Sequence, residues 1–339
     1  MITNSIIYFF FIFITLSICK KFDFFLDIKD HNHKKFATKK KNYYIGGLFI
    51  LIFLIYHFLN KLEYFYCAFF IIVFSIGLFA DLKIFNNPKL RLLAQLFFLI
   101  FFVYLLDIKV PSTRIAIIDF LFEYDLPNYL FTIFCVAILI NGTNFADGIN
   151  TLMINYYIII LGIILFFFQD AIFDHYLVAN LIILLSIILL FNIFGKIILG
   201  DSGAYILSLA VGLILIKFSN DNNFVSPYFI ILLVWYPCFE LLFSILRRLV
   251  SNFYSYKPDI LHLHQIILKT INDKLKFKSN NLKHFLAGSI INTYNLFILM
   301  FALNYNDKTK IMLALIFVNI FVYISTYYLL RKKLKLAQN

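Results

Sequence analysis

Residues 176–194 read YLVANLIILLSIILLFNIF, nineteen residues with no formal charge. As a helix rising about 1.5 Å per residue they would reach roughly 28 Å, close to the hydrocarbon thickness of a bilayer. A short polar turn, GKIILGDS (195–202), follows, and GAYILSLAVGLILIKF (203–218) then opens a second apolar run. The same alternation continues in both directions. It predicts spans at about 2–18, 43–59, 64–79, 92–106, 129–141, 152–168, 176–194, 203–218, 227–246, 285–304 and 311–330. The fold class is therefore all-α: a polytopic transmembrane helical bundle of about eleven spans, ten if one short run does not cross, forming one integral membrane domain over residues 1–339. Of the 339 residues 62% are hydrophobic and 14% charged, where soluble domains carry about 25% charged residues. A soluble fold would leave too little polar surface and is excluded.

Charge sets the expected orientation. The first apolar run has no basic stretch before it and no small-residue cleavage site after it, and Lys20 and Lys21 follow directly. That is the pattern of a retained anchor with its N-terminus outside. Alternating spans then put loops 19–42, 80–91, 142–151, 195–202, 247–284 and the C-terminal tail on one side. These hold 24 of the 30 Lys and Arg residues, so this side is expected to be cytoplasmic. The net charge of +12 is explained by that asymmetry and calls for no nucleic acid. Cys19, Cys67, Cys135 and Cys238 have no paired spacing and read as small buried hydrophobes.

The chemistry-bearing residues gather on the same side. Asp81 opens a short loop with Lys83, Lys89 and Arg91, a grouping also suited to an interfacial anchor with Arg facing lipid phosphates. NGTNFADGIN (141–150) ends a span with four amide or carboxylate side chains, and Asn144 and Asp147 are spaced to share a helical face. Gly200-Asp201-Ser202-Gly203 enters a span. Asp201 or Ser202 could cap that helix, or its free amides could bind a phosphate with a cation bridging to the carboxylate. KPDILHLHQ (257–265) sets His262 and His264 at i, i+2, where an extended loop would aim both at one anion. Zinc fits poorly, since no Cys or second His pair is near. A hard divalent cation held by carboxylates, with bases and amides around it, is the apparatus of phosphoryl transfer. On a membrane it would join a lipid phosphate to a soluble activated donor.

These motifs, together with DIKDHNHKK before Gly46-Gly47, GLFADLKIFNNPKLRLLAQ and NIFGKIILGDSGAY, occur in consistent order over residues 27–268. The sequence resembles the polyprenyl-phosphate N-acetylhexosamine-1-phosphate transferases, the superfamily of phospho-N-acetylmuramoyl-pentapeptide transferase. DGIN, GDSGAY and HLHQ look more like the O-antigen and surface-polysaccharide branch.

The resemblance implies transfer of sugar-1-phosphate from a UDP-N-acetylhexosamine to undecaprenyl phosphate, with release of UMP. It also implies Mg²⁺ (or Mn²⁺ in its place), a lipid bilayer, a bacterial cytoplasmic membrane with the site facing the cytoplasm, and a homodimer. Asp201, with Asp147, would hold the metal, and Asp81, Asn144 and Asp147 would form the catalytic centre. Lys34, Lys35, Asn150, Asn192, Lys196, His262 and His264 would bind substrates. Three positions depart from the pattern: Ala80 stands where many relatives have the first Asp of a pair, Ile198 where they often have Phe, and Thr151 where they have Gly. Alternatives are the peptidoglycan enzyme itself, a catalytically dead relative, and a lipid or solute transporter. A transporter would be expected to place ionisable groups at mid-membrane, and Glu240, the main acid inside a span, lies toward one end instead.

Overall fold

A computed structural model of the protein describes residues 2–22, 24–25, 42–169, 174–250, 261–274 and 279–334. Lys34 and Lys35 lie outside them, as do Lys257 and Asp259. The helices are α1 (Ile2–Phe22), α2 (Gly46–Asn60), α3 (Tyr64–Asp81), α4 (Pro88–Leu105), α5 (Ala116–Leu121), α6 (Asp125–Ala146) and α7 (Leu152–Phe167). They continue with α8 (His175–Ile193), α9 (Gly200–Asp221), α10 (Pro227–Leu233), α11 (Trp235–Val250), α12 (Leu263–Lys274), α13 (Asn280–Leu303) and α14 (Thr309–Lys333). Among the described residues eight are long and apolar enough to cross a membrane, nine if α10 and α11 are taken as one bent span, and α2 and α7 are shorter apolar helices. Every expected apolar run overlaps one of these. The protein is an all-α membrane bundle.

The central post is α9, with α2, α3 and α6 packed around it. The outer faces of α1 and α14 leave Phe10, Phe13, Phe317 and Phe321 exposed, as lipid contact requires. The start of α9 is approached so closely that three glycines are needed. A Cβ on Gly77 would stand 2.4 Å from Ser202 Cα, one on Gly47 2.6 Å from Gly203 Cα, and one on Gly46 2.9 Å from the Ile198 carbonyl oxygen. Backbone, not a flexible side chain, is what each would strike. Gly77→Ala is therefore expected to push α3 off α9 at a cost of about 1–3 kcal/mol or more. A thermal midpoint in detergent equal to the wild type would contradict this.

The chain ahead of α2 is fastened to the same place. Tyr43 and Ile197 form an isolated parallel bridge, with Ile198 N–H donating to Tyr43 O (3.1 Å) and Gly46 N–H to Ile198 O (3.2 Å). At the opposite end, Asp174 caps α8 through Leu177 N (2.9 Å) and accepts from His57 Nε2 (2.7 Å) and Lys61 Nζ (2.5 Å). Burial alone would raise the Asp174 carboxyl, but the hydrogen bonds from His57 and Lys61 outweigh it and hold the group well below the usual carboxylate range.

The structure corrects two sequence expectations. The run 227–246 is not one straight helix: it breaks at Val234, and α10 and α11 meet at 75°. Pro237 explains the break, since it has no N–H for the Leu233 carbonyl four residues back and its ring crowds that turn. The Tyr156 hydroxyl donates to Leu233 O instead (2.7 Å). Nor is 247–284 a plain loop, because α12 occupies residues 263–274 within it.

Candidate functional site

Asp81 is the last residue of α3, and its carboxylate faces the start of α9. It accepts from Asp201 N (2.8 Å), Ser202 N (3.0 Å) and Ser202 Oγ (2.7 Å). Leu199 stands at the N-cap position of α9 and offers no side-chain bond. Asp81 thus caps that helix from another one and satisfies amides that the helix itself leaves open. Gly200, at φ +69°, lies under both carboxylate oxygens, which a Cβ there would approach to 2.7–2.8 Å. The sequence alternative of Asp201 or Ser202 as the cap is overturned, because both donate their N–H groups to Asp81. Asp81→Asn would replace an acceptor of three bonds with a group that is half donor. About 1–3 kcal/mol of stability should be lost as donors go unpaired, measured as a lower thermal midpoint, whereas an unchanged midpoint would refute the capping role.

Asp201 turns away from its own helix and pairs with Arg91 of α4. Arg91 therefore faces a carboxylate and not lipid phosphate, contrary to the anchor reading. One turn further along α4, Gln95 is buried at 1% exposure and accepts from Asn141 Nδ2 (3.0 Å). This bond links the Asp81–Asp201–Arg91 group to the 141–150 segment. A glutamine inside an apolar run was the signal in the sequence.

The 141–150 segment is the end of α6 and the turn into α7. Asn144 lies in the last turn of α6, half-buried, and Asp147 is its C-cap, with its N–H on Thr143 O (2.9 Å). The turn is pinned from two sides. Asn150 N donates to His284 Nδ1 (3.3 Å), and Thr151 N donates to Asn192 Oδ1 (2.6 Å). Asn192 also donates through Nδ2 to Ile197 O (2.7 Å) and is 3% exposed. Its amide thus joins two backbones, holding the DGIN turn to the loop before α9. Thr151 sits at φ +75°, the left-handed region that favours glycine, which gives a physical reason for the glycine in the pattern it departs from. Lys196 is exposed, with its ammonium 5.6 Å from the Phe194 ring centre.

The two histidines do not lie in an extended loop, as the sequence suggested. His262 immediately precedes α12 and His264 is in its first turn, at 5% and 0% exposure. Their rings stack at 5.5 Å. Both face Glu240 of α11, itself 1% exposed. Its Oε1 bonds His262 Nδ1 (2.9 Å) and accepts from Leu263 N (3.3 Å), and its Oε2 is 4.0 Å from His264 Nδ1. Glu240 is the residue that sequence reasoning set aside. The histidines meet the 141–150 segment directly: His262 stands edge-on to Phe145 at 5.5 Å, and a Cβ on Gly148 would fall 2.3 Å from His264 Nε2. One continuous patch therefore runs from Asp81 through Asp201, Arg91, Gln95, Asn141 and Phe145 to His262 and Glu240.

Residues 63–219 match the family model described as Glycosyl transferase family 4. Over this stretch, a little under half of its length, the chain is similar to glycosyl transferase family 4. The match runs from α3 to α9 and contains every expected site residue of the described chain except His262 and His264. No curated protein matches the chain. The family includes phospho-MurNAc-pentapeptide transferase and the polyprenyl-phosphate hexose-1-phosphate transferases, so the match supports a transferase of the polyprenyl-phosphate sugar-1-phosphate kind.

Among its described residues no three His, Cys, Asp or Glu side chains form a metal-binding group. That donor set still suits Mg²⁺, which is commonly held by one or two carboxylates, water and substrate phosphates instead of an all-protein cage. Asp201 fits the part, being a hard carboxylate about one quarter exposed at the mouth of the patch.

Proposed function

We propose that this protein moves the N-acetylhexosamine-1-phosphate of a UDP-sugar onto undecaprenyl phosphate at the cytoplasmic face of a bacterial cytoplasmic membrane, starting a lipid-linked surface glycan. An oxygen of the lipid phosphate attacks the sugar-bearing phosphorus of the donor. The bond from that phosphorus to the bridging oxygen breaks, and UMP leaves with the electron pair. Asp201 would hold Mg²⁺, which would neutralise charge growing on the leaving UMP. Asp81 keeps the start of α9 rigid beneath it. Asn144, Asp147 and Asn150 lie on the turn that Asn192 and His284 pin, where they would meet the nucleotide. His262 and His264, held by Glu240, would contact the diphosphate.

The observation that carries this reading is the contact of Asp201 with Arg91 beside a helix start already capped by Asp81. It is a carboxylate facing a cation at a membrane-end patch, with no structural duty to its own helix. The 24-to-6 division of basic residues supports the cytoplasmic orientation.

The experiment is an assay of purified protein with undecaprenyl phosphate, Mg²⁺ and a panel of UDP-amino sugars that includes the UDP-MurNAc-pentapeptide donor. One N-acetylhexosamine donor should release UMP in equal amount to a lipid diphosphate sugar. Release only from the pentapeptide donor would favour the peptidoglycan reaction. Folded protein that releases UMP from none would overturn the reading.

A further inference from the structure

Arg91 lies in the first turn of α4, after the cap made by Asn87. Its Nη1 contacts Asp201 Oδ2, with the two side chains 21% and 24% exposed. Its Nε is buried and has no hydrogen-bond partner. The guanidinium is therefore engaged on a single carboxylate, while one of its five N–H groups is unused in a place water does not reach. Asp201, for its part, owes nothing to α9, since Asp81 already takes the amides at 201 and 202.

We infer that Arg91 is a displaceable counter-ion: it occupies the Asp201 carboxylate when no divalent cation is present, gives that oxygen up to the cation, and then binds the diphosphate of the nucleotide donor. This rests on Asp201 being the metal carboxylate, as proposed above. A divalent cation on either oxygen of this carboxylate sets a double positive charge against the guanidinium and competes for the same negative charge, and on Oδ2 itself, which Nη1 now contacts, an ion about 2.0–2.1 Å away leaves no room for the guanidinium. The exchange suits arginine. Guanidinium is more weakly hydrated than ammonium, so it loses less water on resting, partly buried, against Asp201. Its planar fork, once released, matches two phosphate oxygens at once. Lysine would keep the charge and lose the fork.

Substrate-free Mn²⁺ binding, followed by electron paramagnetic resonance, tests this without turnover. Arg91→Gln should bind Mn²⁺ about two- to fivefold more tightly than the wild type, the range expected for removing a partly exposed competing ion pair. Its KM for the UDP-sugar should rise at least about tenfold from the lost bidentate contact. Arg91→Lys should leave Mn²⁺ affinity near the wild-type value without restoring KM. A second measurement needs no variant: Mn²⁺ should speed modification of Arg91 by a guanidine-selective dicarbonyl reagent, read by mass spectrometry. Mn²⁺ affinity unchanged or weakened in folded Arg91→Gln, or a modification rate that Mn²⁺ leaves unchanged or slows, would overturn the exchange. The outcome for Asp201→Asn separates the two claims. If that variant binds Mn²⁺ like the wild type, the metal assignment itself fails. If it loses Mn²⁺ while Arg91→Gln gains nothing, only the exchange fails.

Discussion

Asp201→Asn is expected to slow UMP release by about a thousandfold, since a metal ion contributes several kcal/mol of charge stabilisation and each ~1.4 kcal/mol is a factor of ten. The fold should survive. Asparagine has nearly the same shape, and the Asp201 N–H that matters to α9 belongs to the backbone and is bound by Asp81. The side chain's own loss is its pairing with Arg91, which is partly exposed and worth roughly 0–1 kcal/mol. A large kinetic effect with a small thermal one is therefore the signature, and raising Mg²⁺ should recover part of the rate. A fully active variant with unchanged Mg²⁺ dependence would remove Asp201 from the metal role and leave Asp147 as the next carboxylate to test.

Glu240→Ala should cost about a hundredfold in turnover, the upper range for removing a residue that orients a functional histidine. The glutamate is fully enclosed and anchors His262 Nδ1 and Leu263 N through one oxygen. Deleting it leaves both groups unpaired in the interior, a penalty of about 1–3 kcal/mol for each buried group. Glu240→Gln keeps an oxygen where Oε1 stands and should recover much of the loss. A positioning role predicts that KM for the UDP-sugar rises in Glu240→Ala while KM for the lipid phosphate stays put, whereas a merely structural lesion would lower the amount of active protein and leave both KM values alone. Equal KM values in wild type and variant would count against Glu240 as the orienting group.

The helices were legible because lipid imposes a blunt rule: a run near twenty residues without charge must be a helix that satisfies its own backbone. The loop motifs were legible as a set, and the structure joins the end of α6, the start of α9 and the histidines into one patch. What escaped sequence reading depends on contacts distant in the chain. Asp81 reads as the start of a loop, because the first amide it caps, at Asp201, lies 120 residues later. Asp201 looked like a cap because its own position at a helix start is where caps occur, and only the facing carboxylate shows otherwise. Glu240 reads in the sequence as the main acid inside a span, lying toward one end, and its partner His262 stands 22 residues further on, on another element. Pro237 is a local signal of the break, and it decides where α11 points.

That elbow has a mechanical consequence. The break at Val234 is held shut from outside the helix by Tyr156 of α7, whose hydroxyl replaces the donor that Pro237 lacks. Glu240 rides six residues beyond the break, about 9 Å along the helix axis. A rotation of ten degrees about the elbow would swing it by roughly 1.6 Å on that arm, enough to detach an oxygen now 2.9 Å from His262. The same α7 begins at Leu152, directly after the pinned turn that carries Asp147 and Asn150. A single tyrosine thus gears the angle of one arm of the site to the position of another, so amides around the elbow should exchange with solvent as slowly as those of α9, and Tyr156→Phe should loosen them together with the histidines that sit at the end of the lever.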